Sequence, residues 1–145
     1  MKNILFLVLS GIFFIACKKA SVDQGSSCDL SIVGIWELRQ AQNGMTPLIN
    51  YSSGNGNILQ FTDSTYKRYK DGNLTITGHY IIIRDTSVTT ETGLAISPGQ
   101  FIYRIIFDGD VTSHKTFFEI SNNSLTFLSG FFPIDGGSSV VYQLK

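Results

Sequence analysis

The chain has 145 residues, 43% of them hydrophobic and 15% charged, which suits one globular domain of ordinary size and argues against a disordered chain. Its formal net charge is zero, and no basic cluster beyond Lys18-Lys19 occurs. A nucleic-acid footprint and steering by a strong field are therefore not expected. The 11 Phe, 6 Tyr and 14 Gly lean towards a β-rich fold.

The N-terminus has to be set aside before the fold is read. Residues 1–3 carry a short positive region, and residues 4–15 are apolar apart from Ser10 and Gly11. Such a run is too short for the roughly 20 residues that cross a bilayer and fits a secretory h-region of about 7–15. It ends Phe14-Ile15-Ala16-Cys17. An apolar pair, a small residue and then cysteine resemble the lipobox of bacterial lipoprotein signal peptides. The resemblance implies a signal peptide over residues 1–16, lipidation of Cys17 by a thioether, and an acylated new amino terminus. Membrane lipid is then the partner, through chains such as palmitate, because a single acyl chain binds only marginally. The implied location is the bacterial cell envelope, with the outer membrane the expected one and both the membrane and the facing side left open by the sequence.

Cys17 and Cys28 are the only cysteines. The rival reading is an ordinary signal peptide followed by a Cys17–Cys28 disulfide. Residues 17–30 are small and polar without apolar periodicity, a flexible tether with a reach of roughly 20 Å. Lys18 and Lys19 stand where anionic headgroups would attract them, or serve as solubilising charge.

The body, residues 31–145, reads as strands. Residues 32–40 alternate, with Ile32, Gly34, Trp36 and Leu38 on one face and Glu37 and Arg39 on the other. Residues 41–56 lose the pattern, and a loop this long is functional or mobile. Strands follow over 57–61 and 65–70, joined by Thr62-Asp63-Ser64, and Asp71-Gly72-Asn73 is a hairpin signal leading into 74–84. A second irregular stretch, 85–99, precedes a strand over 100–107. Strands over 113–120 and 125–128 flank Ser121-Asn122-Asn123. After a connection with Phe131 and Phe132, residues 140–145 close the chain. Eight successive strands joined mostly by short turns, with no helix of useful length, predict an all-β antiparallel meander. Closing it into a barrel removes the exposed edges.

The order of Gly34-Ile35-Trp36, a long first loop, Leu59-Gln60-Phe61 before a tight turn, and Gly78-His79-Tyr80 on the fourth strand resembles the lipocalin-like domain of small bacterial lipoproteins. The resemblance covers residues 31–145. It implies an eight-stranded up-and-down barrel open at one end, with Gly34 and Trp36 at the closed end. Lipocalins often pack a late arginine over that tryptophan. Nothing after Arg104 is arginine, and Lys145 is the candidate replacement.

No catalytic constellation is present in the sequence, so an enzyme is not expected. His79 and His114 are isolated from further metal ligands, and Asp108-Gly109-Asp110 lacks the rest of a calcium loop. No metal or cofactor is expected. An eight-stranded barrel is just wide enough to be filled by side chains or to hold one small ligand. Inward candidates are Trp36, Leu38, Ile105, Phe101, Leu125 and Val140, together with a tentative ligand cavity of Leu59, Phe61, Tyr80, Ile82, Tyr103, Phe107, Phe127 and Tyr142. Two functions stand. One is a membrane-anchored module for a small hydrophobic ligand, with residues 41–56 and 85–99 framing its mouth. The other is a structural or protein-interaction lipoprotein with a solid core.

Overall fold

The structure is a computed structural model describing residues 31–145. The expected signal peptide (1–16) and tether (17–30), with Cys17 and Cys28, lie outside the described residues. The elements are β1 Gly34–Asn43, β2 Ile49–Asn50, β3 Ile58–Phe61, β4 Thr65–Lys70 and β5 Asn73–Arg84. A short helix α1 Val88–Thr92 comes next, then β6 Tyr103–Phe107, β7 Thr116–Ser121 and β8 Ser124–Ser129. A 3₁₀ turn, Phe132–Ile134, leads into β9 Ser138–Leu144.

Strands β1 and β3–β9 pair antiparallel in chain order, and β9 returns to β1, which closes an eight-stranded up-and-down barrel. This is the fold class that alternation and turn chemistry predict. Among the described residues, the closed ring and its core cluster are built within residues 31–145. The two-residue β2 pairs with Gln40 and Ala41 outside the ring. Strand β5 is the long hinge of the sheet, meeting β4 through its first half and β6 through residues 80–84.

Alternation on β1 carries only as far as Leu38. A bulge leaves Arg39 without a partner, since Leu38 faces Tyr142 while Gln40 faces Val141. Below the bulge, Trp36 points inward between Leu59 and Leu144 and is 2% exposed. Its indole Nε1–H donates to the carbonyl of Ile32 at 2.7 Å, which holds buried Ile32 in the core just ahead of β1. Gly34 has φ +153°, and a Cβ there would stand 3.0 Å from the Leu144 side chain, so backbone and space both select glycine.

Three strands are apolar on both faces. Ile105, Phe118 and Phe127 belong to the inner core, while their neighbours Ile106, Phe117 and Leu128 are buried without belonging to it. Such two-sided strands need cover on the outside as well. Helix α1, which packs on β8 and buries Val88 and Thr92, provides it. An ion-paired clasp holds the cover down: Lys115 Nζ lies 2.8 Å from Glu91 and 3.2 Å from Asp85, with Arg104 3.8 Å from Asp85. The stretch 85–99 therefore wraps the wall instead of framing a mouth.

Of the expected loop 41–56, residues 41–43 extend β1 against β9, and the remainder folds along the outside of β1. The Gly54 amide donates to both Glu37 carboxylate oxygens at 3.1 Å, and Arg39 Nη2 sits 2.7 Å from the same carboxylate. Glu37, on the outer face as alternation requires, is only 1% exposed under this loop. Both long connections are thus packed on the wall; the burial of Glu37 under one of them is offset by the Gly54 amide and Arg39.

Candidate functional site

The barrel interior divides into two halves. Trp36, Phe61, Tyr80 and Ile105 fill the closed end together with Phe118 and Leu125. The Phe61 and Tyr80 rings meet edge-on, with centroids 4.9 Å apart, a favoured aromatic geometry. Tyr80 also donates its hydroxyl to the Thr62 carbonyl at 2.6 Å, tying the β3–β4 turn to this core.

Towards the other end the packing opens into a cavity of about 220 Å³. Its apolar lining is Leu59, Phe107, Phe127 and Val140, and its polar lining is Arg68, Thr116, Ser129 and Tyr142. Six of the eight ring strands contribute. Arg68 takes its inward place by register, standing opposite inward Leu59 on β3 and Ile76 on β5. A wider outer chamber of about 400 Å³ shares Arg68, Val140 and Tyr142 with this cavity and adds Leu38, Tyr69, Lys70 and Thr75. The two together form a mouth that narrows onto an apolar floor.

Of the eight residues expected to line a cavity, Leu59, Phe107, Phe127 and Tyr142 do so. Phe61 and Tyr80 belong to the packed closed end, and Ile82 and Tyr103 are partly buried against it. Gly34 and Trp36 sit together at that closed end. Phe101, expected inward, instead lies in the loop before β6 with φ 51°. Neither long connection contributes a lining residue to the mouth, which is rimmed by the strands themselves and the β4–β5 hairpin. Phe131 and Phe132 line neither cavity; Phe131 abuts Gly93 after α1, and the Phe132 ring lies against Gly137. Lys145 does not cover Trp36 either. It reaches the outer face, 3.9 Å from Glu37.

Tyr66 and Asp108 mark the boundary between the two halves. The Tyr66 hydroxyl donates to Asp108 Oδ2 at 2.8 Å, and the other carboxylate oxygen accepts from the His79 amide at 2.8 Å. These two donors hold the Asp108 carboxyl below its ordinary range. Burial and the same carboxylate push the Tyr66 phenol up. Gly78 is glycine because a Cβ would collide with the Asp108 carboxylate. The Asp108-Gly109-Asp110 turn thus serves as a structural lock on the seam between β5 and β6. At the mouth, burial raises the Tyr142 phenol and the charge of Arg68 opposes that rise, so the guanidinium and the hydroxyl share one electrostatic environment.

An open groove of about 600 Å³ lies at the closed end, between residues 31–33, Asp63, Ser64 and residues 80–82. It is larger than the mouth cavity, but it is a surface depression beside the start of β1 and has no enclosed floor. Among the described residues no group of three or more His, Cys, Asp or Glu is placed to hold a metal ion. The residues missed by sequence reading are Arg68, Thr116 and Ser129. Period-two spacing from Tyr66 was the available signal for Arg68. Comparison with protein-family models, curated proteins and solved structures found no match for this chain.

Proposed function

We propose that the protein is a lipocalin-like lipoprotein, tethered to the bacterial outer membrane through lipidated Cys17, whose barrel binds a small hydrophobic ligand at its mouth. The observation that supports binding is the 220 Å³ cavity with an apolar floor inside a barrel whose other half is packed. It lies below the roughly 300–1,000 Å³ usual for drug-sized ligands, so the occupant is small or leaves part of itself in the outer chamber. The role is binding and not catalysis. Among the described residues no helix is long and apolar enough to cross a membrane, and membrane attachment rests on the sequence around Cys17.

A second reading is favoured by the filled closed end and by Ile81 and Ile83, which stand exposed on the outer face. In that reading the barrel is a scaffold whose wall meets another protein.

Native mass spectrometry of the protein extracted from its membrane separates the two readings. The binding reading predicts a non-covalent adduct that disappears in Val140→Phe, because Val140 lines both chambers. Wild-type protein that carries no adduct and takes up no apolar probe supports the scaffold instead. In the same preparation, metabolic palmitate label is expected on wild type and absent from Cys17→Ser. Label retained by Cys17→Ser would overturn the anchor.

A further inference from the structure

The charge of the mouth is one-sided. The chain as a whole has zero formal net charge, yet the residues lining the two mouth chambers include Arg68 and Lys70 and no Asp or Glu. Arg68 lines both chambers, at the point where the apolar floor gives way to the rim. None of the ion pairs among the described residues includes it. Asp108, the acid bonded to Tyr66 on the same strand as Arg68, already accepts from the Tyr66 hydroxyl and the His79 amide. The hydroxyls of Thr116, Ser129 and Tyr142 surround the same space.

We infer that the mouth is a site for a single-chain amphiphile with an acidic head, its chain on the floor formed by Leu59, Phe107, Phe127 and Val140 and its head on Arg68. The inference rests on the binding reading above and gives it a ligand class. An arginine fork presents paired donors that match a carboxylate or a phosphate, whereas an alcohol meets only one of them and an ammonium is repelled. Tyr142 and the two smaller hydroxyls supply further donors to the same head. The cavity limits the chain. At the roughly 30 Å³ that a water-sized group occupies in a liquid, 220 Å³ accommodates about seven such groups, the length of a medium-chain acid.

The test uses residues 31–145, which hold the closed ring and its core cluster, titrated calorimetrically at pH 7 with octanoate, octyl phosphate, 1-octanol and octylamine. These share a tail and differ in the head. The expected result is binding of the two anions at least about 10-fold tighter than the alcohol, with the amine weakest, as a charge-assisted contact requires. In Arg68→Gln the two anions fall to within about threefold of the alcohol, because the charge-assisted contact that separates them is gone. Tyr142→Phe weakens the anions by a smaller factor. If wild type binds octanol as tightly as octanoate, the head-group assignment fails and the binding site survives. If none of the four binds, the binding reading fails along with it. Anion preference unchanged in Arg68→Gln, with circular dichroism showing the variant folded, would move the site away from Arg68.

Discussion

Trp36→Ala lowers the stability of the barrel by about 3–5 kcal/mol, the cost of a large truncation in a well-packed core. Trp36 is 2% exposed and is flanked in the sheet by Leu59 and Leu144, with Ile32 held over it by the indole hydrogen bond. Removing the indole takes away that bond and opens a void in the packed closed end. Urea unfolding followed by far-ultraviolet circular dichroism measures the loss without relying on the deleted fluorophore. Trp36→Phe retains most of the volume and loses mainly the Ile32 contact, so it should cost no more than about half as much. An alanine variant of undiminished stability that no longer binds ligand would place Trp36 in the site and not at the closed end.

Glu37→Gln costs about 2–3 kcal/mol, because the amide keeps the shape of the side chain but not its charge. The carboxylate accepts the Gly54 amide with both oxygens, and it sits against Arg39 with Lys145 farther off. The buried carboxylate's bonds to the Gly54 amide and to half-buried Arg39 are charge-assisted, and the neutral amide keeps only their weaker, uncharged form. The Gly54 amide, with the two cations, holds the Glu37 carboxyl below its ordinary value against the opposing effect of burial. A carboxyl depressed in the folded state binds fewer protons there than in the unfolded chain. Its stabilisation is therefore complete above the unfolded value near 4.5 and drains away as pH falls through the lower folded value. Unfolding curves between pH 7 and pH 3 should show a shallower acid loss in Glu37→Gln than in wild type. A remaining slope is expected from Asp85, Asp108 and Asp110, which are also depressed. Identical slopes would mean that Glu37 titrates normally and that residues 51–57 are not pinned by it.

Much of the fold was legible because the strands carry both signals that define a meander. Period-two alternation marks β1, β5 and β9, and the residues at Asp71, Gly72, Asn122 and Asn123 adopt the positive φ that tight turns demand. What could not be read was which face of a doubly apolar strand looks inward. The pairs Ile105-Ile106, Phe117-Phe118 and Phe127-Leu128 are equally apolar on both sides. Phe118 therefore went unassigned although it is 1% exposed at the centre of the core. The outer members of these pairs determine that residues 85–99 cover the wall, and no local signal in that Thr- and Ser-rich stretch announces it. Arg68 was obscured for a related reason. An arginine on the inward face of a strand contradicts the rule for a core, and makes sense only once the register puts it at an open end.

The central claim is a barrel sealed at Trp36 and hollow at Arg68, with binding confined to the hollow half. Octanoate titrated into the isotope-labelled barrel, followed by proton–nitrogen correlation spectra, tests it most directly. The expected shifts fall on Arg68, Thr116, Ser129 and Tyr142, while the Trp36 indole resonance stays where it was. Shifts centred on the Trp36 indole, or on residues 31–33 and 80–82 lining the open groove, would contradict the account.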